Sequence, residues 1–146
     1  MTLENLGLER HRGRESALQL LYQWEIGHRT AVAFDEAIDL FWKVHPGPDS
    51  RRLFADALVE GTIKNVEAID PLLETNAENW RLSRMAVIDR LIMRMAVYEL
   101  LFTDTPELVV IDEALELAKT FSSDEAVSFI NGVLDAVRRQ LEQVVP

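Results

Sequence analysis

Apolar residues recur along the chain at three- and four-residue steps, the period of an amphipathic helix. Ala17, Leu18, Leu21 and Tyr22, widened by Leu20 and Trp24, predict a helix from about Arg10 to Ile26, ended by Gly27. Phe34, Ala37, Ile38, Phe41 and Trp42 predict a second helix. His45-Pro46-Gly47-Pro48-Asp49 then breaks any regular element. Asp49 or Ser50 is placed to cap a third helix, with Leu53, Phe54, Ala57, Leu58 and Gly61 on one face and Val59, Ile63 and Val66 on another. Asp70-Pro71 reads as cap plus first-turn proline of a short fourth helix, 71–78.

Ser83 is placed to cap a fifth helix, whose stripe of Met85, Ile88, Leu91, Ile92, Met95 and Ala96 continues through Tyr98, Leu101 and Phe102. A helix so widely apolar must be covered almost all round. Thr103 to Pro106 ends it. Val109–Thr120 predicts a sixth helix. The Ser122/Glu125 spacing of a capping box opens a seventh, with Val127, Ile130, Leu134, Val137 and Leu141 inward. Leu108 to Ile111 is rich in β-branched residues but runs straight into a helical pattern. The expectation is an all-α chain of about seven helices, in two packed helical subdomains at about 10–78 and 80–146, behind a flexible extension at 1–9.

Charge changes this picture. The 146 residues carry 15 Lys and Arg against 25 Asp and Glu, a formal net charge of −10. That balance excludes a protein that coats nucleic acid by bulk positive field, and argues against adhesion to an acidic membrane. The charge is uneven. Residues 1–30 are neutral, with Arg10, Arg12 and Arg14 clustered beside His11. Residues 80–94 form a second basic island of Arg81, Arg84, Arg90 and Arg94, and residues 103–125 are the acidic extreme. No cysteine is present, which excludes disulfides, thiolate metal sites and thiol catalysis and fits a reducing cytoplasm. Neither a signal peptide nor a membrane span is read, so a soluble cytoplasmic protein is expected.

Candidate chemistry is sparse. His11, His28 and His45 stand at no metal-ligand spacing, and no phosphate loop or dinucleotide turn is found. Paired acids such as Asp112-Glu113 and Asp124-Glu125 read as solvated faces or dipole partners. We therefore expect no enzyme, no metal and no cofactor. The arginine cluster is more informative. Arg10 and Arg14 share a helix face, with Gln19 and Tyr22 further along, and guanidinium forks bind phosphate. Tyrosine can stack on an unpaired base. Spacing alone leaves Tyr22 open between that role and the core. The start of the last helix, with Ser123, Asp124, Glu125, Phe129, Asn131 and Gly132, is a second candidate surface, although spacing alone favours plain capping with Phe129 buried.

Four blocks, taken together, resemble the NusB transcription antitermination factors. They are Arg-x-Arg-Glu-Ser-Ala-Leu-Gln-Leu-Leu-Tyr-Gln-Trp-Glu (12–25), Asp89 to Leu100, Val110 to Phe121, and Phe129 to Asp135. The likeness covers about residues 10–140 and makes 10–146 a single NusB-like domain. It implies an all-helical, two-subdomain fold. It implies binding of boxA in ribosomal RNA leader transcripts as a heterodimer with the ribosomal protein NusE, within an antitermination complex on RNA polymerase. The resemblance places RNA contacts at Arg10, His11, Arg12, Arg14, Tyr22, Ser122, Ser123, Glu125 and Phe129, to which the helix spacing adds Gln19. It places NusE contacts at Asp89, Arg94, Tyr98 and Glu99. Two alternatives are the RNA-binding helical domain of an rRNA cytosine methyltransferase, of which this chain would be a fragment, and a homodimeric helical adaptor.

The chain departs from the family pattern in ways that bear on affinity. His11 stands where another arginine is common, Gly13 interrupts the first helix, and Glu9 and Glu15 flank the arginines. Asp89 stands where the longer glutamate is expected. Four phosphate contacts would give a slope of roughly −3 in log K against log salt. Binding of that size calls for a basic protein partner.

Overall fold

The computed structural model describes residues 2–27, 33–77 and 81–144. His28, the end of the fourth predicted helix and the predicted boundary between subdomains lie outside them. The described residues form seven α-helices and one 3₁₀ turn, with no strand among them: α1 Leu3–Ile26, α2 Phe34–Val44, α3 Asp49–Lys64, α4 Val66–Asn76, the 3₁₀ turn Leu82–Arg84, α5 Val87–Phe102, α6 Glu107–Phe121 and α7 Asp124–Val144. Among them no helix is long and apolar enough to cross a membrane. The chain forms two compact units, Met1–Glu60 and Gly61–Pro146. The division between these units falls inside α3.

Several helix ends differ from expectation. α1 starts at Leu3, because the Thr2 hydroxyl accepts from the Asn5 N–H at 3.1 Å. The stretch expected as an extension therefore carries two turns of helix. Pro71 lies inside α4; the break comes at Asn65, whose Nδ2 donates to the Gly61 carbonyl at 2.7 Å. Ser83 lies in the 3₁₀ turn, and α5 begins after Ala86. Ser123 rather than Ser122 caps α7, accepting from the Ala126 N–H at 3.1 Å.

In the first unit α1 and α2 bury Ala17, Leu18, Leu20, Leu21, Ile38, Phe41 and Trp42. α3 contributes Ala55, Leu58 and Val59, while Leu53 and Ala57 of the expected face point to solvent. The Trp42 indole donates to Asp56 Oδ1 at 2.7 Å. Burial pushes the Asp56 carboxyl above its usual range, against the pull of that bond and of Arg52. In the second unit α5 packs against α4, α6 and α7. Leu91, Ile92, Met93, Met95, Ala96 and Val97 are all buried, as a helix apolar on every side requires. Arg94 closes the α4–α5 contact with a fork onto Asp70, at 2.8 and 2.9 Å.

Candidate nucleic-acid interface

The predicted RNA residues fall in both units. On α1, Arg10, Arg12 and Gln19 are exposed and His11 is half-buried. Tyr22 is 39% exposed, so its ring is a surface feature and not core. At 3.6 residues per turn, Arg12, Gln19 and Tyr22 share one solvent face. A cation at one end and an aromatic at the other suit a phosphate and an unpaired base.

Arg14 corrects the expectation of a phosphate contact. It is only 3% exposed, with its guanidinium carbon 5.0 Å from the centre of the Phe54 ring. The Arg10 guanidinium lies over the same ring at 5.7 Å. Gly13 is where that ring meets α1: a Cβ there would stand 2.8 Å from Phe54 Cδ2. The glycine is therefore a seat for an aromatic, not a loose turn. The acids flanking the arginines are engaged. Glu9 accepts from Arg51 Nε at 2.9 Å. Glu15 lies 3.8 Å from His11, an ion pair when the imidazole is protonated.

In the second unit a cavity of about 300 Å³ opens beside the starts of α5 and α7. Arg84, Met85, Asp89, Ser123, Glu125 and Phe129 line it. Asp89, expected to face a protein partner, thus stands in one cavity with three residues expected to face RNA. The Ser122 hydroxyl donates to Asp89 Oδ1 at 2.6 Å, which fixes the carboxylate at the rim. An aromatic ring, a thioether, two carboxylate acceptors and an exposed arginine can hold a base by its face and its amino edge. Sequence reasoning gave Arg84 no role, although its membership of the basic island was the available signal. Phe54 was read only as part of an apolar face.

The remaining partner residues are placed differently from expectation. Glu99 is 3% exposed and accepts from the Thr105 hydroxyl at 3.4 Å, so its carboxylate is not on the surface. Arg94 is spent on Asp70 and its side chain is 14% exposed. Tyr98 is half-buried; its ring lies 5.5 Å from that of Phe102, which is 51% exposed. Tyr98 also covers Gly61, where a Cβ would fall among its Cζ, Cε1 and Oη atoms.

The NusB family profile matches residues 11–139. The transcription antitermination protein NusB of Solibacter usitatus is 41% identical over 136 residues, 92% of this chain and 91% of that protein. Its counterpart in Anaeromyxobacter sp. (strain Fw109-5) is 46% identical over 136 residues, 90% of this chain and 91% of that protein. T. maritima NusB superposes with a TM-score of 0.77 at 31% identity, covering 90% of this chain and 91% of that one. A solved complex of antitermination factors NusB and NusE with dsRNA shares the fold, with a TM-score of 0.78 at 23% identity over 90% of this chain and 97% of that one. The exposed arginine-to-tyrosine face of α1, the seven-helix architecture and similarity along nearly the whole chain lead to one assignment: the chain belongs to the NusB family of transcription antitermination proteins.

Proposed function

We propose that this antitermination protein binds boxA-type single-stranded RNA of ribosomal leader transcripts together with NusE, and acts in the cytoplasm within an RNA polymerase antitermination complex. The observation that carries the reading is the exposed face of α1 shared by Arg12, Gln19 and Tyr22, with Arg10 exposed elsewhere on the same helix, in a chain of net charge −10. The solved NusB complex with NusE and dsRNA supports both partners by likeness of fold. Similarity to antitermination proteins over about nine-tenths of their length favours this reading over a methyltransferase domain.

On this reading Arg10 and Arg12 take phosphates, Gln19 bonds a base edge and Tyr22 stacks. In the second unit Phe129, Glu125 and Ser123 receive a further base, with Arg84 beside them. Tyr98 and Phe102 offer the aromatic contact to NusE. Two phosphate contacts on α1 give a salt slope of about −1.4. So small an electrostatic term makes the basic partner necessary. The test titrates labelled boxA RNA and a scrambled RNA with the protein alone and with NusE. Tighter boxA binding in the mixture is expected. Equal affinity with and without NusE, or equal affinity for the scrambled RNA, would refute the reading.

A further inference from the structure

A single ring organises the arginine start of α1. Phe54 on α3 sits so close to Gly13 that a Cβ there would meet Phe54 Cδ2 at 2.8 Å and the Arg51 carbonyl at 3.4 Å. Arg10 and Arg14 stand on either side of Gly13 in the sequence, and both guanidinium carbons lie over that ring, at 5.7 and 5.0 Å. Arg14 is buried and Arg10 is exposed. Glu9, the acid next to Arg10, is held by Arg51 Nε at 2.9 Å and Nη2 at 3.4 Å. The contact set therefore leaves Arg10 over an aromatic face with its neighbouring acid occupied elsewhere.

A free arginine loses rotamer entropy when it is fixed on a phosphate. A guanidinium that rests its face on a ring has already lost part of that freedom and keeps its N–H edge for acceptors. The buried charge of Arg14 against the same ring disfavours an inward turn of Arg10. We propose that Phe54 is a positioning residue for phosphate binding: seated on Gly13, it holds the Arg10 guanidinium ready for the RNA backbone. The inference rests on the RNA-binding reading above.

The test measures binding of fluorescent boxA RNA, with NusE present, across a salt series for wild type, Phe54→Leu, Phe54→Tyr, Arg10→Ala and the Phe54→Leu/Arg10→Ala double variant. Leucine keeps most of the apolar volume without the aromatic face, and tyrosine keeps the face. Phe54→Leu should weaken binding about two- to fivefold, the size of one exposed cation–π contact. Phe54→Tyr should restore wild-type affinity. With Arg10 removed, Phe54→Leu should have no further effect, whereas a purely packing role would weaken both backgrounds alike. Phe54→Met replaces the leucine variant if the latter melts below the assay temperature. Wild-type affinity in Phe54→Leu, equal weakening in both backgrounds, or a tyrosine variant as weak as leucine would each overturn the proposal. Should wild type itself bind no RNA, the functional reading falls and this inference with it; a silent Phe54→Leu against a binding wild type removes this inference alone.

Discussion

Gly61→Ala puts the packing of Tyr98 to a quantitative test. Gly61 lies in the last turn of α3, where alanine would ordinarily gain about 1 kcal/mol of helix propensity. Here the new methyl would occupy the space of the Tyr98 Cζ, Cε1 and Oη atoms, so the ring must leave. Leaving breaks its tilted stack on Phe102, at 5.5 Å and 30°, and such a pair is worth about 0.5–1.5 kcal/mol. Forcing the methyl into a packed contact costs about 1–3 kcal/mol more. Set against the propensity gain, the net loss is about 0.5–3.5 kcal/mol, which lowers Tm at roughly 2–4 °C per kcal/mol. Removing the ring first reverses the sign. In a Tyr98→Ala background, Gly61→Ala should stabilise by about 0.5–1 kcal/mol, because only propensity remains. Urea unfolding of wild type, both single variants and the double variant measures this coupling. A Gly61→Ala protein more stable than wild type, with effects that simply add, would show that the ring does not rest on Gly61.

Three further outcomes are expected. Tyr22→Ala should weaken RNA binding by about 1–3 kcal/mol, the range for loss of one stacked base, with little change in Tm; a melting point lowered by many degrees would return Tyr22 to the core. Arg94→Ala should destabilise by about 2–4 kcal/mol, because it strands the Asp70 carboxylate in a largely buried site. Arg94→Lys should rescue little of that loss, since an ammonium cannot fork, and NusE affinity of the folded protein should be unchanged. For Asp56, burial raises the folded carboxyl above its ordinary value of 3.8, so the ionised form costs stability once pH rises above the folded value and costs none below the ordinary one. Asp56→Asn, which keeps an acceptor for Trp42, should therefore be more stable than wild type at neutral pH. Its advantage should vanish as pH falls towards 3.8, and an advantage that persists in acid would refute the assignment.

The elements that were legible in the sequence are those whose burial is periodic. α5 announces itself because Leu91, Ile92, Met95 and Ala96 must all be covered, and they are. α1 before Arg10 does not, since Leu3 is 88% exposed and Leu8 45% exposed, and a helix that buries little leaves no stripe. The start of α7 offered two adjacent serines of equal capping ability. A tertiary contact decides between them: Asp89 takes the Ser122 hydroxyl, and Ser123 is left to cap. Asp70-Pro71 misled because proline suits a first turn, whereas here Pro71 sits inside α4 and the chain bends at Asn65. Arg14 and Glu99 were assigned to RNA and NusE by the family resemblance, yet both are buried, which a charge tolerates only with partners. Sequence spacing does not reveal partners brought from other helices.

The same reasoning sharpens what the net charge of −10 means for RNA. Of the three arginines on α1, Arg14 is withdrawn against Phe54, which leaves Arg10 and Arg12 exposed. Arg51 is bound to Glu9 and Arg52 lies 5.6 Å from the Trp42 ring, so both arginines of α3 are committed to the fold of the first unit. Two exposed arginines supply little counterion release. On the proposed reading, the remaining recognition on α1 comes from stacking on Tyr22 and from hydrogen bonds, which salt weakens far less. A protein of this composition is therefore suited to selecting its RNA by the faces and edges of unpaired bases while a basic partner supplies the attraction.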